Sequence, residues 1–200
     1  MEAKEAASVL LQMEHHEESL TARASGLTSM VWGLAVAAIF LGYQTLSGWA
    51  ETNGAEWLDG FLWAPWVLMA VVLTRLIWNT LRVHVDPELA REGSRRAAIA
   101  CGGVGLAAAA LTILFTLVLQ LDWNTHVVML MVTAFMAAAS AALQWKFLPQ
   151  PAFFAAAAAG VGVALWMGVQ EWAWEPAGFT AALTAGLMWF VPGYITYRRG

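Results

Sequence analysis

Charge is what this chain most lacks. Asp, Glu, Lys and Arg make up 12% of its 200 residues, about half the share of an ordinary soluble protein. A single cysteine, Cys101, excludes a disulfide scaffold and reads as a small packing residue. The net charge of −4 comes without a basic stripe, so no nucleic acid is expected as a partner. A cleavable leader is not expected either, because Glu2, Lys4 and Glu5 stand where a basic n-region would be. What fills the chain is apolar: 60% hydrophobic residues, 12 Trp, 9 Phe and a mean hydropathy of +0.61. Too little polar surface remains to cover a water-soluble core, and too much apolar surface for disorder. The composition implies a protein whose solvent is the lipid bilayer.

A transmembrane helix needs about 20 mostly apolar residues to cross about 30 Å of hydrocarbon. Six stretches qualify, at 27–49, 61–81, 97–121, 125–145, 150–170 and 176–197. They are long and lack apolar/polar alternation, which favours helices over barrel strands. Short connections favour antiparallel neighbours. The expected fold is therefore an all-α, six-span bundle at 25–200, preceded by a cytoplasmic amphipathic helix at 1–24. Direction follows from the basic residues. If the N-terminus is cytoplasmic, all ten bases lie at or near the inner face, from Lys4 and Arg23 to Arg198 and Arg199. The three outer loops then carry Glu51, Glu56, Asp59, Asp122, Glu171 and Glu175 and no base at all. By the positive-inside rule both termini are expected in the cytoplasm of a multi-pass cell-membrane protein.

Two inner segments have a pattern of their own. Ala6, Val9, Leu10, Met13 and Leu20 share one helical face near the N-terminus, and Gly26 is expected to end that helix. The helix lies on the membrane or docks on a partner or a second copy; its acidity argues against attraction to anionic lipid. Within it, His15 and His16 point about 100° apart, which disfavours a shared metal, and no metal or cofactor is expected. In the first inner loop, Asp86 fits a helix cap, Pro87 the first helical position and Glu88 the first turn, with Arg91 following. This short helix is either a connector or a partner-docking surface.

The predicted interior is poor in chemistry. It holds no carboxylate pair, no zinc-protease pattern and no Gly-x-Ser-x-Gly, so no catalytic residue is expected and enzyme readings are disfavoured. Arg75 is the one charge inside a span and can snorkel to the inner headgroups. His126, near Asp122 and Asn124, reads as an outer-interface residue. Gly103-x-Gly105-x-x-Ala108 mimics a dinucleotide fingerprint but sits in an apolar run with no preceding strand. Small residues recur every fourth position: Gly105 in span three, Gly160 and Gly168 in span five, Gly178 and Gly186 in span six. Such stripes let helices approach closely, so spans three, five and six are expected to form the packed centre. Tryptophans gather toward the outer loops, as in an aromatic belt. Glu171, Trp172, Trp174 and Glu175, with Glu56 and Trp57, also offer faces and countercharge for a cationic ligand.

The order of elements over most of the chain resembles the permease half of small ABC exporters. It has an amphipathic N-terminal helix, six spans, both termini inside and a helical first inner loop. That resemblance implies a non-enzymatic transport subunit whose Asp86–Arg96 helix, with Asp86, Pro87, Glu88 and Arg91, docks on a cytoplasmic ATPase. The competing expectation is a structural or regulatory membrane protein that works through its N-terminal helix and first inner loop.

Overall fold

A computed structural model of the chain describes residues 2–55, 61–81, 95, 99, 103, 110, 125–144, 151–170 and 173–200. Among these residues the regular elements are all helical. They are α1 (Glu2–Thr52), α2 (Ala64–Thr80), α3 (Thr125–Gln144), α4 (Pro151–Val169) and α5 (Trp174–Arg199). Four stretches are long and apolar enough to cross a membrane: His15–Thr52, Thr125–Ala142, Pro151–Val169 and Pro176–Arg199. The shorter apolar helix α2 covers about 25 Å at 1.5 Å per residue. It starts later than the expected 61 because Phe61–Trp63 form a turn and Pro65 sets the first helical turn. The expected third span and first inner loop fall outside the described residues, apart from isolated positions at 95, 99, 103 and 110.

One expectation is overturned. Gly26 does not end the amphipathic helix, because α1 runs unbroken from Glu2 to Thr52. Its 51 residues extend about 76 Å, more than twice the hydrocarbon thickness. The helix ends instead at Gly54, whose φ of 64° is the left-handed geometry a glycine accepts without cost. There the Ala55 N–H donates to the Ala50 carbonyl at 2.7 Å and the Gly54 N–H to Glu51 at 3.3 Å, the paired bonds of a Schellman motif. The amphipathic segment is thus a continuation of the first span.

Among the described residues the centre of the bundle includes a contact to which the small-residue stripes did not point. The most extensive helix contact is between α1 and α5, which run antiparallel. A Cβ on Gly26 would lie 2.6 Å from the Gly193 carbonyl oxygen, and one on Gly193 2.7 Å from that of Gly26. Seven residues further along α1, a Cβ on Gly33 would lie 2.8 Å from the Gly186 oxygen. The contact is backbone against backbone, with a seven-residue repeat on both helices that keeps one seam facing the partner. The helix continues through Pro192, which is buried next to this seam. The described core therefore gathers on α5, which also packs on α3 and α4.

Placement of side chains is inverted relative to a water-soluble protein. Ala134, Ala164, Ala181 and Ala185 are fully buried, while Val169 is 74% exposed and Leu68 and Leu183 are each 65% exposed. Alanines and glycines line many of the helix contacts, beside Phe40, Leu130 and Met167, while many large apolar residues face outward, as suits a surface in contact with hydrocarbon. The chain is a multi-pass membrane protein.

The helices share two ends. Ser19 of α1 donates to the Gly200 carbonyl at 2.5 Å, and Trp78 of α2 donates through Nε1 to Thr28 Oγ at 3.1 Å. These contacts define a Gly200 end. Thr52, the start of α3 and the start of α5 lie at the opposite, Thr52 end, where Phe40 and Tyr43 meet His126.

Candidate functional site

The Thr52 end holds a buried polar junction of three helices. Phe40, Tyr43 and Gln44 fall on one face of α1 because they are three and four residues apart. His126, the second residue of α3, meets them and is completely buried. Its ring lies 6.4 Å from Phe40 in a stacked arrangement and 6.2 Å from Tyr43, edge to face. Both distances are within the range of favourable ring pairs. Gly178 of α5 closes the junction. The Gln44 side-chain carbonyl rests directly over Gly178, where a Cβ would also stand 3.0 Å from His126 Nε2. A larger residue at 178 would displace the Gln44 amide from this space and crowd His126.

Gln44 Oε1 is shielded from solvent and accepts no hydrogen bond among the described residues. Leaving such an acceptor unsatisfied costs about 1–3 kcal/mol. The junction therefore offers a ready acceptor between two aromatic rings and an imidazole. That set of groups suits a cation or a hydrogen-bond donor carrying apolar bulk. His126 is thus buried among the helices at the Thr52 end, the end of its span at which the sequence places it. Gln44 and Tyr43 went unnoticed in the sequence, although a glutamine deep in an apolar span was the available signal.

A second polar place lies at the Gly200 end. Gln12, His15, His16, Glu18 and Ser19 of α1 face Arg199 and Gly200 across a cavity of about 460 Å³. No three His, Cys, Asp or Glu side chains come together to hold a metal ion among the described residues.

Glu56, Trp57, Asp86, Pro87, Glu88, Arg91, Gly105, Glu171 and Trp172 lie outside the described residues. Trp174 and Glu175 open α5, and only their backbone is described. The remaining small residues are at or near helix contacts. Gly160 is buried, with Met188 Sδ where its Cβ would be and Ala134 at 3.4 Å from that point. Gly186 faces Ala37 at 3.0 Å, and Gly168 is half-buried in α4. Comparison of the chain with protein-family models, curated proteins and solved structures gives no match.

Proposed function

We propose that this chain is a non-enzymatic, permease-like subunit of a small-molecule transport system, with six spans and both termini in the cytoplasm. The observation that carries the reading is the junction of Phe40, Tyr43, Gln44 and His126. Polar and ionisable groups within a membrane bundle are expensive, and they characteristically mark the path or binding place of a substrate. The substrate class that suits the junction is an apolar molecule bearing a cation. The acidic and aromatic segment Glu171–Glu175 immediately precedes Gly178 in sequence and would supply countercharge at its mouth. A cytoplasmic ATPase is the partner this reading calls for, docking on the loop around Asp86–Arg91.

Six spans are supported by where the described helices stop and start. α2 ends at the Gly200 end, while α3 begins at the Thr52 end. A span at 97–121, as the sequence predicts, would join these two ends. Inward termini are supported by charge: Arg23, Arg198 and Arg199 lie toward the Gly200 end and Glu51 at the Thr52 end. The substrate reading is tested by titrating tetraphenylphosphonium into the purified full chain in detergent and following tryptophan fluorescence. Saturable quenching is expected, with Gln44→Leu weakening it because the amide oxygen whose dipole faces the cation is removed. Wild-type protein that shows no saturable response overturns the reading.

A second reading is favoured by a separate observation. Every described side chain from Ser8 to Glu18 is exposed, so α1 carries an arm past the end of α5. A regulatory membrane protein would act through such an arm, on a partner or on a second copy. Removing residues 2–18 should then abolish association and leave the bundle folded. The truncation stops before Ser19 because Ser19 and Ala22 already pack on the end of α5.

A further inference from the structure

Between Gln12 and Thr45, α1 contains four leucines, and they stand at 20, 27, 34 and 41. Met13 and Ala6 carry the same seven-residue spacing toward the N-terminus. A repeat of 3.5 residues per turn keeps one stripe against a partner helix over many turns. The neighbours of the leucines show where this stripe points. The residue before each of the last three packs inside the bundle: Gly26 on Gly193, Gly33 on Gly186, and Phe40 on His126. The residue after them turns to α2 at both ends of the stripe. Thr28 accepts from Trp78, and a Cβ on Gly42 would lie 3.8 Å from Trp66 Nε1. Successive residues are about 100° apart, so the leucines stand on the arc of α1 between its α5 side and its α2 side. Exposure agrees. From Ser19 to Phe40 the only exposed residues of α1 are Arg23 and Leu34. Leu34 is 62% exposed, Leu41 39% and Met13 60%.

Length decides what covers the stripe. From Met13 to Leu41 it runs about 42 Å, against about 30 Å of hydrocarbon. Acyl chains do not reach along all of it, nor does a helix of ordinary span length. A second α1 does. Two copies inserted alike lie parallel, and a two-fold axis along the membrane normal sets the stripe against itself at equal height. We propose that two copies of this chain pair through α1 as a parallel, left-handed coiled coil. Met13, Leu20, Leu27, Leu34 and Leu41 form its seam, which continues from the bilayer into the exposed arm. The pairing rests on the second reading above, since it names a second copy as what the arm meets. It is independent of the substrate assigned to the Thr52 end.

The test is oxidative cross-linking of single-cysteine variants in native membranes, in a Cys101→Ala background with copper phenanthroline. Met13→Cys, Leu34→Cys and Leu41→Cys should give disulfide-linked dimers. Leu46→Cys and Leu183→Cys, exposed but off the stripe, should stay monomeric and report random collision. Light scattering in detergent should give a protein mass of twice 21.7 kDa, falling to one copy in the double variant Leu34→Ala/Leu41→Ala. Both side chains are exposed, so helicity by circular dichroism should stay at the wild-type value. Equal cross-linking on and off the stripe overturns the proposal, as does a one-copy mass for the wild-type protein. No dimer at 34 and 41 would leave the stripe to lipid or to another segment of the same chain, and overturns it equally. Removing residues 2–18 tells the arm from the seam. Association lost on truncation, with no cross-link at any stripe position in the full chain, keeps the arm and sinks the seam. Cross-links at 34 and 41 that survive the truncation keep the seam and sink the arm.

Discussion

At Gly26 and Gly193 the backbones of α1 and α5 touch, and the missing Cβ atoms are what permits it. In a bilayer there is no hydrophobic drive between helices, so this closeness, with the dispersion it gathers, is a main source of cohesion. Gly26→Leu should therefore destabilise the bundle by about 3 kcal/mol, the upper end for overpacking, read from thermal or denaturant unfolding in detergent. Gly162 is the internal control, because a Cβ there meets nothing within 4 Å. Gly162→Ala should stabilise by about 0.5–1 kcal/mol through lower backbone entropy in the unfolded chain. Gly160→Leu and Gly186→Leu should both be destabilising, since Met188 and Ala37 occupy the space. Equal stabilities across these four variants would remove the close-packing account.

α1 is the element that sets the shape of the molecule. An isolated glycine inside a helix costs about 1 kcal/mol relative to alanine, and at Gly26 the contact with α5 offsets it. Spin labels at the exposed positions 12 and 34 should give a narrow distance distribution near about 33 Å, the rise of one continuous helix. A hinge at Gly26 would shorten and broaden it. The stop at Gly54 depends on a positive φ. Gly54→Ala should cost about 1 kcal/mol and speed hydrogen exchange at the Gly54 and Ala55 amides, which close the last turn.

On the scale of the whole molecule, an inside-out distribution of side chains and a two-ended distribution of charge describe one object. Exposed valine and leucine face outward, and Arg23, Arg198 and Arg199 lie toward the Gly200 end. In a Cys101→Ala background, a membrane-impermeant maleimide applied to intact cells should label Glu51→Cys. Arg198→Cys should react only after permeabilisation. The reverse pattern would invert the molecule and place the polar junction, with its proposed substrate access, on the cytoplasmic side.

Hydropathy and length were enough to read membrane solvent, helical class and most helix limits from the sequence. Spans at 125–145, 150–170 and 176–197 agree within three residues with α3, α4 and α5, because apolar length is a local property imposed by bilayer thickness. Helix pairing was not legible in this way. The four-residue stripes are visible within single spans, but the seven-residue spacing that joins Gly26 and Gly33 to Gly193 and Gly186 links opposite ends of the chain. The candidate site was hidden for the same reason. Gln44, His126 and Gly178 are far apart in sequence, and each alone resembles an ordinary interface or packing residue. Sequence by itself determined the solvent and the lengths, since these depend on transfer of each segment into hydrocarbon. Tertiary structure alone decided which faces meet, since close approach depends on two backbones having room at the same height.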